Sequence, residues 1–360
     1  MLYLLAAPML LASCDVHEFP ELPEKEPFHL RLNYETDMTI WEHVYDGTTL
    51  KEVGFGATYD NTQEYGSMRS IVRIYPSTEA MRSTRSHLEE LVVNRNIRDG
   101  YDQEVTVEMP GGEYNVMVWS DITQLSTQRP YYNADDFFEV MLQGDHIGNT
   151  DYRDAFRGEV TATVTDPVYY VNSAAAAIDN QATVPMIRPM GKYQFVSTDV
   201  DIFLTRVAEQ MREQGLLAGI DPSADPLLAY EQLLKQIDLG EYQVVFRYNA
   251  FMPCSFNMFT NKPADSWTGI TYRGALTMLQ SGKMSLGFDY IFVNGTETTL
   301  AISVAVFNKD GVEISSTNAI NVPIVRSKLT LVTGDFLTSK SSGGVNIQYE
   351  YNGEYNVEIQ

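Results

Sequence analysis

Apolar residues recur at every second place in a series of short segments, each ended by Gly, Pro or Asp. In the first half these are "FHLRLNY" at 28–34, "RSIVRIYP" at 69–76, "QEVTVEM" at 103–109 and "EYNVMVW" at 113–119. The second half continues with "KYQFVS" at 192–197, "EYQVVFRY" at 241–248, "MSLGFDYIFV" at 284–293, "TLAISVAVFN" at 299–308 and "KLTLVTGDFL" at 328–337. A period of two is that of a strand with one face in a core, so a mostly β protein is predicted. "NKDG" at 308–311 predicts a hairpin turn into "VEISS". Calcium chelation by that turn is the weaker reading, because a loop site needs several more carboxylates at fixed spacing.

Helical spacing interrupts the rhythm in three places. Ser86 and Glu89 in "SHLEELVV" form a capping-box pattern, predicting a short helix there. Val200, Phe203, Leu204, Val207 and Met211 fall on one face and Gly215 ends the segment, predicting a helix near 199–214. Asp225 and Pro226 can open a second one near 226–239, with Leu227, Tyr230, Leu234 and Ile237 on its buried face. Such stripes ordinarily pack on a core.

"GEYNVMV" at 112–118 and "GEYQVVF" at 240–246 share a turn glycine and a strand opening, with Tyr114, Val116 and Val118 matched by Tyr242, Val244 and Phe246. That predicts equivalent strands in two related sandwiches, although "GEYNV" returns at 353–357 as generic strand-start chemistry. The junction is expected at 166–184, where Ala174–Ala177 and the polar "IDNQAT" break the pattern.

The N-terminus is of another kind. Residues 1–13 carry no charged side chain, and acid then arrives at once with Asp15, Glu18, Glu21, Glu24 and Glu26. The apolar stretch is shorter than the roughly 20 residues a spanning helix needs and has the form of a secretory signal core. Leu11-Ala12-Ser13-Cys14 fits the bacterial lipobox, in which the cysteine is acylated and becomes the new first residue. No Lys or Arg precedes the core, where a basic segment belongs; the competing reading is a frayed apolar terminus with an incidental cysteine. Two or three acyl chains give stable anchoring where one does not, and with no second apolar segment attachment would be through the lipid alone. Residues 14–27, rich in Pro and Glu, read as a solvated tether.

Acylation of Cys14 would leave Cys254, the second of only two cysteines, without a disulfide partner. Its apolar neighbours in "AFMPCSFNMF" predict a buried, inert thiol. Lys and Arg total 25 against 48 Asp and Glu, a net charge of −23. That argues against nucleic acid or anionic lipid as a partner through a basic face. The length exceeds the usual reach of one core, so two domains are expected, 28–175 and 184–360.

Catalytic patterns are sparse. The sequence has no HExxH, GxSxG or P-loop, and the five histidines are scattered without ligand spacing. Adjacent carboxylates at Asp135-Asp136 and Glu89-Glu90 would face opposite ways on a strand; a glycosidase pair assembled by folding stays open. The expectation is a non-enzyme without metal or cofactor. Among the aromatics, Trp267 in the loop "NKPADSWTG" is the candidate for stacking on a ligand; ordinary packing is the competing reading.

Several segments taken in order resemble the Bacteroidales fimbrillin-like surface lipoproteins, which include type V pilus subunits and minor-fimbrium anchors. They are "MRSIVRIYP", "MPGGEYNVMVWSDI", "YYNADDFFEV" and "DYRDAFRG", then "IRPMGKYQFVSTD", "VVFRYNAFMPCSFNMFTNKPADSWTG", "LGFDYIFVNG" and "VPIVRSKLTLVTGDFLT". The resemblance implies two tandem transthyretin-like (Greek-key) β-sandwiches, with the helical insertion in the second, lipid-anchored at the outer membrane and exposed at the cell surface. It implies partnership with other fimbrial subunits by β-strand addition, and contact with host or microbial surface ligands. Stalk members are cut after an Arg or Lys near the N-terminus, which removes the first strand; Arg31, within the first predicted strand, matches that type of site, with Lys25 ahead of that strand, and an outward-facing strand residue is the plain alternative. The long tether leans toward an anchor or accessory subunit. A surface glycan-binding lipoprotein shares the anchor, the acidic tether and the sandwiches and is the rival expectation.

Overall fold

The computed structural model describes residues 24–44, 51–57, 66–76, 86–123, 129–165, 180–215, 232, 235–280, 282–340, 346–347 and 357–358. The leader, Cys14 and most of the tether lie outside them, as do most of the expected junction and most of the expected helix at 226–239.

The N-terminal sheet has seven strands: β1 (Lys25–Tyr34), β4 (Ser67–Pro76), β5 (Glu89–Asn96), β6 (Gln103–Pro110), β7 (Gly112–Thr123), β10 (Ala155–Val164) and β11 (Gln181–Ile187), in the order β5-β4-β7-β10-β11-β1-β6. It is two blocks joined at a corner, because β10 and β11 pair only at Arg157–Ile187 and Gly158–Met186. One core collects inward residues of both blocks: Phe28, Leu30 and Leu32 from β1, Val72 and Ile74 from β4, Val105 and Val107 from β6, Val116 and Val118 from β7. The sheet thus folds over to make its own sandwich. Gly158 is required at the corner: a Cβ there would lie 2.4 Å from Met186 Sδ and 2.5 Å from Val184 Cγ1.

A second sheet comprises β2 (Asp37–Val44), β3 (Lys51–Ala57), β12 (Met190–Ser197), β19 (Thr277–Gln280), β20 (Lys283–Phe292) and β24 (Lys328–Gly334), ordered β19-β20-β12-β24-β2-β3. A third holds β13 (Gln243–Tyr248), β18 (Thr271–Gly274), β21 (Glu297–Phe307), β22 (Glu313–Ser316) and β23 (Ile320–Val325), with β21 between β13 and the last two. Helix α1 (Val200–Glu213) buries Val200, Phe203, Leu204, Val207 and Ala208 and is followed by Gly215 at φ +70°, as its spacing predicts. Shorter pieces complete the chain: β8 (Tyr132–Asn133), β9 (Val140–Leu142), β15 (Ser255–Asn257) and β16 (Lys262–Pro263) form one small sheet, while β14 (Met252–Pro253) pairs with β17 (Ser266–Trp267) and β25 (Asn346–Ile347) with β26 (Val357–Glu358).

Pairing crosses the division drawn between 28–175 and 184–360. Strand β2 lies parallel to β24, some 290 residues downstream, and β9 pairs with β15. The outward faces of β4 and β7 supply Ile71, Tyr75, Met117 and Trp119 to the C-terminal core. Both faces of these strands are therefore buried, and apolar residues fill both phases of the alternation at Ile71-Val72, Ile74-Tyr75 and Val116–Trp119.

Two further expectations change. The segment carrying Ser86 and Glu89 is strand, not helix: β5 pairs antiparallel with β4 from Ser67–Asn96 to Ile74–Glu89, half-burying Leu91 and Val93 while Val92 faces solvent. Packing on a strand edge outweighs a local capping pattern that a solvated helix would have had to sustain alone. The tether also ends earlier, since β1 begins at Lys25 and pairs through Pro27 with Glu108. Pro27 is tolerated there because the amide two residues on, at His29, points to the β11 side, and β11 begins opposite His29.

Candidate functional site

The sequence-predicted residues do not converge. Lys25 and Arg31 both stand on the outer face of β1, Lys25 paired with Glu89 at 2.9 Å and Arg31 with Asp102 at 3.7 Å, all four side chains substantially exposed. Exposed pairs of this kind contribute little. Trp267 is half-buried against the C-terminal core, its backbone paired with Met252. Cys254 is fully buried and free, and burial, with the nearby Asp265, pushes its thiol up to about 11.

The chemistry that does converge lies in a polar seam where residues 146–153 pack on the C-terminal sheets. Asp289 on β20 accepts from His146 Nε2 at 2.7 Å, from the Tyr248 hydroxyl at 2.6 Å and from Arg153, the last presented by a 3₁₀ turn at Asp151–Arg153. Tyr193 bridges the hydroxyls of Tyr248 at 2.7 Å and Tyr272 at 3.0 Å. Beside it Lys192 donates to Asp151 at 2.7 Å, over the face of Phe288 at 4.0 Å, and Tyr290 donates to the same Asp151 oxygen at 2.7 Å.

Burial alone would raise the Asp289 carboxyl; the Arg153 charge, with His146 and the Tyr248 hydroxyl, overcomes it and holds the group below the ordinary carboxylate value. Burial drives the Tyr193, Tyr248 and Tyr272 hydroxyls far above theirs, so they stay protonated donors. Both His146 ring nitrogens lie within 3.3 Å of Arg153 Nη1. This arrangement fixes the 146–153 segment to the second sheet. Its members come from five separate stretches, so no spacing in the sequence announces them; the one clue is Asp289, a charge set within the apolar and aromatic run "LGFDYIFV" at 286–293.

The remaining candidates are sheet edges. Strands β5 and β6 end the N-terminal sheet, and β5 leaves Val92, and Leu88 just before it, about half exposed. Among the described residues no group of three or more His, Cys, Asp or Glu could hold a metal ion, and no helix is long and apolar enough to cross a membrane.

A model of a family of unknown function, DUF6562, matches residues 23–360. The chain belongs to that family. No curated protein matches this DUF6562 member. Among solved structures it is similar to a candidate adhesin from Bacteroides ovatus, at 11% identity over 90% of this chain and 94% of that one, TM-score 0.42. A candidate cell adhesion protein from Bacteroides eggerthii aligns at 12% identity over 93% and 95%, TM-score 0.40. The fimbrial anchor protein Mfa2 from Porphyromonas gingivalis aligns at 10% identity over 92% and 95%, TM-score 0.35.

Proposed function

We propose that this DUF6562 protein is a non-enzymatic surface lipoprotein, anchored in the outer membrane through Cys14 and serving as a fimbrial anchor or accessory subunit. The observation that carries the reading is the placement of β1. The strand that follows the tether is held between β6 and β11, with Phe28, Leu30 and Leu32 at 0%, 1% and 0% exposure. Tension applied through a lipid at Cys14 would run along β1 and load its hydrogen bonds on both sides together in shear, the direction in which a strand resists best. The lipobox, the acidic tether and the ordered fimbrillin-like segments support the same reading, and partner contact would then run through sheet edges by strand addition.

Metabolic labelling with a radiolabelled fatty acid, followed by surface protease treatment of intact cells, tests the anchor; label lost in Cys14→Ser is the expected result. Fibres isolated from cells co-expressing the neighbouring genes should contain the protein, and its deletion should release them into the medium. Unlabelled protein, or fibres that lack it and stay attached after its deletion, would refute the reading.

A further inference from the structure

On the outer face of the N-terminal sandwich, β4 and the segment preceding β9 enclose a cavity of about 220 Å³. Rings form one wall. Phe138 and Phe259 stack at 4.2 Å, and Tyr75 meets Phe259 edge-on at 5.6 Å and His87 at 6.2 Å. Polar groups of both kinds complete the lining. Asp135 and Asp136 bring carboxylates, and Arg73 brings a guanidinium held by Glu90 at 2.6 Å and by the Asp135 carbonyl at 2.9 Å. His87 borders the same space, its Nε2 lying 3.8 Å from Glu90.

The lining selects among ligand classes. A phosphate or other anion would face Asp135 and Asp136. A simple cation would meet the Arg73 guanidinium in the same wall. A polyhydroxylated ring suits all of it: its C–H face lies against aromatic carbon, and its hydroxyls both donate to carboxylates and accept from Arg73. At roughly 30 Å³ per water the space equals about seven waters, below the ~300 Å³ at which drug-sized sites begin. One sugar ring fills such a space. We propose that this pocket binds a single neutral pyranose residue of a surface glycan, with Phe138 and Phe259 as the stacking wall and Asp135, Asp136 and Arg73 as hydrogen-bonding groups.

The inference does not rest on fibre anchoring, and its failure would leave that reading standing. The test titrates the full chain with methyl glycosides of glucose, galactose, mannose and N-acetylglucosamine, followed by saturation-transfer NMR and chemical-shift changes. Nα-acetyl-lysine amide and inorganic phosphate serve as contrasting probes. At least one pyranoside should bind with its ring protons saturated, weakened tenfold or more in Phe138→Ala and Asp136→Asn and changed less than twofold in Trp267→Ala. Should Phe138→Ala fail to fold, Asp135→Asn, at an exposed position, replaces it with the same expected loss. The proposal is overturned if no pyranoside binds, if only the lysine amide or phosphate binds, or if pyranoside binding survives the pocket substitutions.

Discussion

Arg188 and Asp154, both fully buried, meet at the place where the chain twice leaves one sheet for another. Arg188 Nε sits 2.9 Å from each Asp154 oxygen, and its two other nitrogens reach the Glu35 carbonyl at 2.9 Å and the Thr36 carbonyl at 2.7 Å. Glu35 and Thr36 carry β1 into β2; Arg188 itself carries β11 into β12. The guanidinium lies 4.7 Å over the Phe156 ring, and the Arg188 carbonyl accepts from Arg326 at 3.0 Å. One side chain therefore fixes both crossovers relative to the start of β10.

Breaking a buried pair leaves an uncompensated charge and costs about 3–5 kcal/mol. Arg188→Met should lower unfolding stability by that amount in denaturant titration. Arg188→Lys, which cannot span three acceptors, should fall between Arg188→Met and the native protein. The double variant Arg188→Met with Asp154→Leu should lose clearly less than the sum of the two single changes, since it removes both charges. Additive losses would mean that the pair does not act as a unit.

The polar seam makes a pH prediction of definite sign. Asp289 titrates lower in the fold than in the unfolded chain, so its stabilisation is present above the unfolded value of about 4 and is lost as pH falls through the folded value. Asp121 acts oppositely. Burial raises its carboxyl despite its bonds to Arg69 and Trp119, so acid favours its folded state. Asp289→Asn should be destabilised at pH 7 and show a flatter decline of stability below pH 4 than the native chain. An unchanged acid slope in chemical denaturation would show that Asp289 does not carry it.

At the corner of the N-terminal sheet the limit is space. Gly158→Val would thrust methyl groups into Met186 and Val184, which are already fully buried. Overpacking of this sort costs about 1–3 kcal/mol. The thermal midpoint of Gly158→Val should fall accordingly, and Met186→Ala in the same chain should restore part of it by opening room.

Legibility in the sequence followed the solvent. Phe28, Leu30 and Leu32 alternate with exposed His29 and Arg31, and Val105, Val107 and Met109 with Glu104, Thr106 and Glu108, so β1 and β6 could be read directly. Strand β5 alternates too, but only between half-buried and exposed positions, and Ser86 with Glu89 offered a local helical signal of equal strength. Strand β11 was hidden because Gln181, Thr183 and Pro185 made it resemble a linker. Nothing in residues 37–57 points to β24, for the partner that fixes β2 lies at the far end of the chain. The seam shares that difficulty: His146 and Asp289 are 143 residues apart, and what makes them a site is folding alone.

Cys254 offers a probe of global opening. A thiol at about 11 is almost wholly protonated at pH 8, and this one has no exposed surface. In a Cys14→Ser chain, iodoacetamide should leave Cys254 unmodified under native conditions and label it completely in denaturant, read by mass. Fast native labelling would mean that the region around β14 and β15 opens on its own.

The first strand decides between the two fates that Arg31 could have. Its side chain is more than half exposed, yet the bond after it joins a strand paired on both sides, between the buried Leu30 and Leu32. A trypsin-like protease binds its substrate as an extended segment in its own cleft, so the Arg31–Leu32 bond must first leave the sheet. Trypsin should therefore yield no fragment beginning at Leu32 from the native chain, and that fragment should appear only at denaturant concentrations where the fold is lost as a whole. Leu32→Ala removes fully buried carbon at a cost of about 2–5 kcal/mol and should bring the cut to lower denaturant. Release of the Leu32 fragment well before global unfolding would show that β1 detaches by itself, and would favour a processed, strand-accepting subunit over one held by its first strand.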